Sequence, residues 1–391
     1  MEDVFIVLAK RTAVGNFMGA FTKTSSVELG SAVVKNILEE SKIDPEELSE
    51  LIMGQVLLGG LGQNPARQTL IKSDIPDIVP ASITSIVCGS GLNSVALGAD
   101  SIRLGDSSMI IAGGQENMSM AMHASYIRAG VKMGNSSMID MMTYDGLTDA
   151  FSNALMGITA ENIAKKFDIS REEQDLFALN SQNKASKALK NGKFKNEIVP
   201  VKIKIKRDEV MMDLDEFIRH DLQIEALQKL KPAFDKEGSV TAGNASGIND
   251  GAAAVLLMNE AMLKKYNLTP MARIVSHAKA GVSPDIMGTG PIPAVRAALK
   301  KANWNIGDLD VIEANEAFAA QAISVNKELG WDESKVNING GAIAIGHPIG
   351  ASGCRVLVTL LHEMQRSKAK KGIATLCIGG GMGIAMCVEN V

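Results

Sequence analysis

Two stretches of the chain, CGSGLNSVALGA at 88–99 and GASGCRVLVTLL at 350–361, share one pattern. In each, a turn rich in glycine and serine opens a segment whose apolar residues recur at helical spacing. A second pair, IIAGGQENMS at 110–119 and CIGGGMGIAM at 377–386, shows a strand that runs into a glycine cluster. Repeated units of this kind predict two similar α/β halves, packed face to face, whose glycine-rich loops converge on one site.

Strand and helix patterns alternate in the first and the last third of the chain, whereas the middle differs. Residues 51–58 are predicted to form one strand, and residues 85–87 the strand segment that leads into Cys88. The middle is Met-rich and more polar, and it carries a helical pattern over Arg171–Lys190 that Ser170 and Glu173 open as a capping box. We interpret it as an insertion that covers the loop face of the main body. The predicted boundaries are 1–118 plus 249–268 for the first half, 119–248 for the inserted loop domain and 269–391 for the second half.

The composition is that of a globular protein, with 46% hydrophobic and 21% charged residues. The formal net charge of −4 argues against general nucleic-acid binding, which requires a basic face. No apolar run is long enough to span a bilayer, and the N-terminus lacks a secretory signal pattern, so no membrane association is expected. The cysteines, Cys88, Cys354, Cys377 and Cys387, lack the spacing of a zinc site or disulfide framework. Free thiols predict no metal site and a cytoplasmic location.

Cys88 lies between an apolar strand and the first turn of a helix. A lone cysteine is more often a small buried hydrophobe than a working group. Here, however, Gly89, Ser90 and Gly91 leave its sulfur uncrowded. Free backbone N–H groups and the positive end of the following helix favour a thiolate and can hold an oxyanion. The local sequence therefore favours Cys88 as a nucleophile.

His347 lies between Gly346 and Pro348 in a glycine-dense turn that precedes a helix. Because Pro348 fixes the local chain, this histidine cannot lie inside a helix. Most histidines are surface or satisfied core residues, but an imidazole in such a turn is well suited to transfer a proton near neutral pH. We therefore predict that His347 is an acid/base group.

Cys377 ends a buried strand directly before the triple glycine at 379–381, which predicts that its sulfur is exposed at a loop rim. A second thiol beside an acyl-cysteine is useful where a proton must be removed from carbon. Cys354, within a helical run, and Cys387, in a terminal strand, are predicted to be structural.

Asn315 follows another strand, in a segment 315–318 that is predicted to begin a helix. Asparagine is a preferred N-cap residue, which is the simpler interpretation. Alternatively, its amide orients a water or donates to an oxyanion at the start of the helix. Both interpretations fit the local sequence.

Together, VCGSGL at 87–92, NEAFA at 315–319, GGAIAIGHPIGASG at 340–353 and CIGGGMG at 377–383 resemble the thiolase family. The likeness continues through KPAFDKEGSVTAGNASGINDGAAA at 231–254 and covers essentially the whole chain, with most similarity to the biosynthetic, short-chain members. The resemblance implies duplicated βαβαβαββ halves in a five-layered α-β-α-β-α arrangement with an inserted loop domain. It also implies a homotetramer, built as a dimer of dimers.

Carried over position by position, the resemblance implies that Cys88 is the acylated nucleophile and His347 its activating base. Cys377 would deprotonate the methyl carbon of a second acetyl-CoA. One oxyanion site would consist of His347 and a water held by Asn315, and the other of the backbone amides of Cys88 and Gly379. The implied reaction condenses two acetyl-CoA molecules to acetoacetyl-CoA and CoA, and runs in reverse, with no permanently bound cofactor.

For coenzyme A, the family pattern points to residues of the insertion and of the NEAFA segment. These are Arg219, Ser246, Leu147, Met156, Ala317, Phe318, Phe234 and Ala242. Met156 resembles the bulky residue that shortens the acyl pocket in short-chain members. Where many relatives have a histidine at the substrate entrance, this chain has Leu155. The alternative interpretation of Arg219, less favoured by the pattern, is an ordinary solvated surface charge.

Other functions stay open at this point. A degradative 3-ketoacyl-CoA thiolase of broader chain length would need a roomier pocket at Met156. A carrier-protein-dependent ketoacyl synthase normally lacks the second cysteine, so Cys377 argues against it. A non-catalytic CoA- or lipid-binding protein of the same fold would not need the catalytic groups, and Leu155 is the departure that favours it.

Overall fold

Strands and helices alternate through both ends of the chain in a computed structural model that describes residues 2–205 and 208–391. The strands are β1 Phe5–Thr12, β2 Gly15–Asn16, β3 Glu50–Gly54, β4 Ala81–Thr84, β5 Met109–Asn117, β6 His123–Ala124, β7 Ile139–Asp140, β8 Ile198–Val199, β9 Val201–Ile205, β10 Asp208–Met212, β11 Asn249–Met258, β12 Ala272–Gly281, β13 Val311–Ala314, β14 Lys371–Ile378 and β15 Met382–Glu389. The α-helices are α1 Ser26–Ser41, α2 Pro65–Lys72, α3 Ser90–Leu104, α4 Met156–Lys166, α5 Arg171–Lys190, α6 Ile224–Gln228, α7 Glu260–Lys265, α8 Pro291–Ala302, α9 Ala319–Leu329, α10 Ala342–Ile345 and α11 Ser352–Ser367. Short 3₁₀ turns lie at Pro45–Glu47, Pro284–Thr289, Ile306–Asp308 and Glu333–Lys335, and a π-helical turn at Met142–Leu147.

One hydrogen-bonded path of strands runs β13-β14-β15-β12-β1-β11-β5-β3-β4. It narrows between β1 and β12, where two residue pairs join the two parts. The order β1-β11-β5-β3 on one side corresponds to β12-β15-β14-β13 on the other, and the parallel pairs β3–β5 and β13–β14 occupy equivalent places. The predicted duplication into two α/β halves is therefore confirmed.

The helices form three layers around the two half-sheets. Helices α3 and α11 pack against each other, and their apolar residues share one core with residues of both half-sheets, such as Val255 and Ile384. Helices α1 and α2 cover the outer face of the first half-sheet, while α8 and α9 cover that of the second. On β13, Val311 faces the central core and Ile312 the outer one. This is the five-layered α-β-α-β-α arrangement.

The central helices touch through the glycines of the repeated sequence pattern. A Cβ placed on Gly353 would lie 2.3 Å from the backbone nitrogen of Leu92, and one placed on Gly91 would lie 2.8 Å from that of Cys354. Neither distance is tolerated by a real side chain. Both glycines are therefore required for the approach of α3 and α11, which brings the two loop clusters together.

The inserted segment leaves the main body after β5 and returns at β11. Its helix α5 spans the predicted residues, and Ser170 and Glu173 form the predicted capping box. The insertion is not wholly separate from the main sheet, because Ile198 and Val199 pair in parallel with β1. Within the described part of the chain, no helix combines the length and the apolar character needed to cross a bilayer.

Two strands of the first half differ from the prediction. The strand predicted over 51–58 stops at Gly54, because the N–H groups of Val56 and Leu57 donate to the side chain of Glu116 instead of to a neighbouring strand. The strand predicted at 85–87 is absent, and β4 stops at Thr84. The residues that follow form the turn that carries Cys88.

Candidate active site

The turn before Cys88 is strained. Val87 has a φ of +51°, in the left-handed region that a β-branched residue rarely adopts. The Ser90 hydroxyl stabilises this turn, because it donates to the Val87 carbonyl at 2.7 Å and accepts the N–H of Ile86 at 2.9 Å. A Cβ on Gly89 would lie 2.4 Å from Cδ1 of Ile378, so a larger residue here would have to displace that side chain of the second half. Retained strain of this kind is typical of functional sites.

Cys88 is 8% exposed, and burial raises the pKa of its thiol to about 11. Hydrogen bonds from the backbone N–H of Gly379 and from its own N–H lower this pKa, while the charge of Glu116 raises it. The expectation of a resting thiolate is therefore wrong, since desolvation outweighs the N–H groups at the start of the helix. A base has to remove the proton when the substrate is bound.

Two hydrogen bonds hold His347 in place. Its backbone N–H donates to Oδ1 of Asn249 at 2.8 Å, and its Nδ1 lies 2.6 Å from the hydroxyl of Ser352. The single hydroxyl proton of Ser352 is donated to the carbonyl of Pro348 at 2.8 Å, so Nδ1 must be the donor to Ser352. This hydrogen-bond network assigns the tautomer with a free lone pair on Nε2.

Nε2 of His347 has no hydrogen-bond partner among the described residues. Burial lowers the pKa of the ring to about 3, and the nearby charge of Arg355 lowers it further. The resting imidazole is therefore neutral, and its unprotonated nitrogen can accept a proton from a neighbouring thiol.

Asn315 does not cap a helix, because α9 begins at Ala319. The N-cap interpretation is therefore wrong. The segment before α9 is held instead by the inserted domain: the Ser246 N–H donates to the Ala317 carbonyl at 2.9 Å, and the Ala319 N–H donates to the Asn244 carbonyl at 2.8 Å. Asn315 is 1% exposed, and neither amide atom has a partner within the described residues. A buried, unpaired carboxamide of this kind is suited to hold a water.

Cys377 is fully buried at the end of β14, so the prediction that its sulfur is exposed at a loop rim is wrong. The register of β14 with β15 continues beyond Cys377, which pairs with Gly383, and this keeps the residue inside the sheet. Burial raises the pKa of Cys377, and the nearby Cys88 raises it further. Ile378, which follows Cys377, lies against Gly89, which follows Cys88, so the two cysteines come from opposite halves to neighbouring positions.

Cys88 and His347 line one apolar cavity of about 490 Å³. The same cavity is lined by every residue that the resemblance assigned to coenzyme A. These are Leu147, Met156, Arg219, Phe234, Ala242, Ser246, Ala317 and Phe318. Asn315, Cys377 and Gly379 are not among the residues that line it.

Apolar side chains set the shape of the cavity near the thiols. The sulfur of Met156 lies 3.5 Å from the position of a Cβ on Gly379, so this side chain fills space beside Cys88. Phe234 and Phe318 meet edge to face with their ring centres 6.2 Å apart. Leu155, which is 40% exposed, lies at the mouth. Met156 therefore restricts the space at the reactive end.

Arg219 is exposed at the rim of the cavity, where its guanidinium lies 5.6 Å from the ring centre of Phe217. The backbone N–H of Arg219 donates to Oε1 of Gln182 at 2.8 Å. A stacked arginine offers a positive charge and a flat face, which suit a nucleotide. Ser246 lies deeper, on the strand-like segment that contacts Ala317.

Sequence reasoning missed three residues that hold the reactive groups: Ser352, Asn249 and Glu116. A signal for Ser352 was present, because the repeat aligns it with Ser90 in the turn after Cys88. Asn249 and Glu116 carried no local signal, since each acts on a loop more than 50 residues away along the chain.

The chain belongs to the thiolase family. Residues 4–261 match the family described as Thiolase, N-terminal domain, and residues 268–390 match Thiolase, C-terminal domain. An acetyl-CoA acetyltransferase of Paracoccus denitrificans is 60% identical over 390 residues, with 100% of both chains covered. A second, of Rhizobium meliloti, is 59% identical over 389 residues, covering 100% of this chain and 99% of the relative.

Solved structures of thiolases are similar to the whole chain. The crystal structure of the Bacillus anthracis acetyl-CoA acetyltransferase superposes with a TM-score of 0.98 at 43% identity, covering 100% of this chain and 99% of that one. Human mitochondrial 3-ketoacyl-CoA thiolase superposes with a TM-score of 0.97 at 41% identity, with the same coverage. The chain is therefore similar over its full length to acyl-transferring enzymes of this family.

Proposed function

We propose that this protein is an acetyl-CoA C-acetyltransferase that condenses two acetyl-CoA molecules to acetoacetyl-CoA and CoA, and catalyses the reverse thiolysis. The observation that carries the proposal is the convergence of Cys88 and His347 on one apolar cavity, with Cys377 buried beside Cys88. The names of the full-length relatives support the same activity.

In the first half-reaction, Nε2 of His347 accepts the Cys88 proton while the sulfur attacks the thioester carbonyl. The N–H groups of Cys88 and Gly379 lie beside the sulfur, where they can stabilise the oxyanion that forms. The thioester C–S bond then breaks. Cys377 gives its proton to the leaving CoA sulfur, which leaves acetyl-Cys88, an imidazolium and the Cys377 thiolate.

In the second half-reaction, the Cys377 thiolate removes a proton from the methyl group of a second acetyl-CoA. The enolate oxygen accepts a hydrogen bond from protonated His347 and one from a water held by Asn315. The enolate carbon attacks acetyl-Cys88, a C–C bond forms, and the C–S bond to Cys88 breaks. Cys88 recovers its proton from His347, so every group returns to its starting form.

This mechanism accounts for the high pKa of both thiols. Burial makes an isolated thiolate costly, so each thiolate forms only when the His347 imidazolium is present to balance its charge. Hydrogen bonds placed where charge develops are sufficient to stabilise a thioester enolate. We therefore propose that no permanently bound cofactor is used and that CoA thioesters are the substrates.

Coenzyme A is proposed to enter past Leu155, with its nucleotide near Arg219 and its pantetheine chain against Ser246 and Phe318. The apolar lining suits the pantetheine chain, and the exposed guanidinium at the rim suits the nucleotide. Leu155 cannot supply the hydrogen bond of a histidine, so Leu155→His is expected to lower the KM for acetyl-CoA.

The test is acetoacetyl-CoA cleavage by CoA in the wild type and in Cys88→Ala and Cys377→Ala variants, with intact mass after incubation with acetyl-CoA. Both variants are expected to lose activity. One acetyl adduct should form in the wild type and in Cys377→Ala but not in Cys88→Ala. An inactive wild type that still binds CoA would support a non-catalytic binding protein instead.

A degradative thiolase of broader chain length is the second candidate, supported by the likeness to human mitochondrial 3-ketoacyl-CoA thiolase. The position of Met156 against Gly379 favours the short-chain alternative, because its side chain occupies the space that a longer acyl chain needs. Comparing kcat/KM for C4 to C10 3-ketoacyl-CoA substrates separates the two. A value that rises with chain length would favour the degradative enzyme.

The assembly is proposed to be a homotetramer in the cytoplasm, formed as a dimer of dimers in part through the inserted domain. The segment after β5 exposes several large apolar side chains, which support a buried role in an oligomer. They include Met120, Tyr126, Ile127, Met133 and Met138. Sedimentation analysis of the wild type and of a Tyr126→Asp, Met133→Asp double variant tests this, and a monomeric wild type would contradict it.

A further inference from the structure

Glu116 is a buried carboxylate that the proposed mechanism does not use. It lies in β5, within the GGQENMS segment, and its side chain is 0% exposed. Its partners are three backbone N–H groups, and no side chain of opposite charge pairs with it in the described residues. A buried charge held in this way is costly, so its retention requires a reason.

The three N–H groups come from both halves of the molecule. Oε2 of Glu116 accepts the N–H of Val56 at 3.0 Å and that of Gly350 at 2.9 Å, while Oε1 accepts the N–H of Leu57 at 3.2 Å. Val56 and Leu57 follow β3 of the first half. Gly350 belongs to the second half and lies three residues after His347. One carboxylate therefore fixes the His347 loop to the half that carries Cys88.

Gly350 is closely packed against Glu116 and Gln55. A Cβ placed on Gly350 would lie 2.6 Å from Oε2 of Glu116 and 2.8 Å from Cα of Gln55. Leu57 and Ile349, which adjoin these bonds in the chain, belong to the apolar cluster that contains Cys88. A shift at Glu116 would therefore displace both His347 and the wall beside the nucleophile.

Burial raises the pKa of Glu116 to about 7, the three N–H groups lower it, and the charge of Asp250 raises it. When ionised, Glu116 raises the pKa of Cys88. The titratable groups around it are Cys88 at the start of α3, Asp250 on β11 and His347 in the adjoining loop.

We propose that Glu116 is a positioning residue of the acyl-transfer reaction, which holds the His347 loop against the half of the molecule that carries Cys88. The effect on catalysis rests on the proposed function. The tie between the two loops does not, because hydrogen exchange of the Gly350 N–H is measured without turnover.

Glu116→Gln keeps the length of the side chain but replaces one acceptor oxygen by an NH2 group, which cannot accept a backbone N–H. Glu116→Asp keeps both oxygens but is one methylene too short to join both loops. In both variants kcat for acetoacetyl-CoA cleavage should fall about 10- to 100-fold with little change in KM, because the His347 loop is displaced. Hydrogen exchange at Gly350, measured without substrate, should become faster in both.

Glu161→Gln is the matched control, because Glu161 is another buried carboxylate that accepts two backbone N–H groups, from Ser239 at 2.9 Å and Val240 at 2.8 Å. It should lower the melting temperature by a similar amount and leave kcat and the hydrogen exchange of Gly350 near their wild-type values. A folded Glu116→Asp with wild-type kcat and wild-type exchange at Gly350 would overturn the positioning role. An inactive wild type whose Glu116→Asp variant still exchanges faster at Gly350 would reject the proposed function alone.

Discussion

The turn after Cys88 and the turn after His347 are the same structural element used for two purposes. Both open a central helix with Ser-Gly. In the first half, the Ser90 hydroxyl contacts only backbone, from Ile86 and Val87. It therefore maintains the strained conformation that presents the thiol of Cys88.

In the second half, the equivalent Ser352 also donates to a backbone carbonyl, that of Pro348, but its oxygen is used by the ring of His347. The duplicated serine thus supports backbone strain in one half and a histidine tautomer in the other. The repeat thus supplies the framework, whereas the residues that lead into each turn decide the chemistry.

The largest effect is expected from His347→Gln, which removes the base and leaves the Cys88 turn intact. Acetylation of Cys88 by acetyl-CoA should slow by about 10²- to 10⁴-fold, because the thiol no longer has a proton acceptor. Single-turnover mass spectrometry measures this rate. Acetylation at the wild-type rate would show that the second turn does not activate the first.

The paired glycines test whether the two turns support each other. Gly353→Ala should lower the free energy of unfolding by about 3 kcal/mol, because its Cβ meets the backbone of Leu92. Gly91→Ala should cost less, since its Cβ would lie 2.8 Å from its nearest neighbour instead of 2.3 Å. Denaturant unfolding gives both values. A larger loss of stability in Gly91→Ala than in Gly353→Ala would mean that the backbone around Cys354 shifts less easily than the backbone around Leu92.

The free energy of unfolding should depend on pH through the buried imidazole of His347. The pKa of His347 is lowered from 6.5 to about 3, so the unfolded chain binds a proton between these values and the native state does not. Stability is therefore lost as pH falls below 6.5. Between pH 6.5 and 5 the wild type should lose about 2 kcal/mol more than His347→Gln. Unfolding curves of both proteins that shift in parallel would contradict this.

The smallest effects are expected from the two serines. Ser352→Ala should lower kcat about tenfold with little loss of stability, because His347 loses the acceptor that fixes its tautomer. Ser90→Ala should instead lower the free energy of unfolding by about 1–2 kcal/mol, because it leaves a buried N–H of the strained turn unpaired. The test measures kcat and the free energy of unfolding for both variants. Equal losses of kcat and of stability in the two variants would show that the two serines have the same role.

Much of the fold could be predicted from local pattern. The repeat indicated two α/β halves, and the capping box at Ser170 and Glu173 gave the bounds of α5. Two strand ends were placed wrongly. The strand after residue 50 stopped early because Glu116, far away in sequence, provides the acceptors for Val56 and Leu57. The turn at Val87 was missed because its backbone conformation is imposed by contacts with the second half.

The candidate site divides in the same way. Cys88, His347 and Cys377 were identifiable because each stands at a glycine-rich turn or strand end, where short-range sequence reports local geometry. Their protonation states were not. The expected thiolate at Cys88 and the expected exposure of Cys377 both failed, because desolvation depends on what the rest of the molecule places around the sulfur.

The sequence by itself determined the duplicated architecture, the positions of the reactive residues and the resemblance to the thiolase family. The tertiary structure alone decided that Cys88 is a thiol at rest, that Nε2 of His347 is the free nitrogen and that Asn315 is left without a partner. It also placed Glu116 between the two halves. The physical reason is that residue type and spacing act over a few positions along the chain, whereas burial, charge and hydrogen bonding depend on neighbours that only folding brings together.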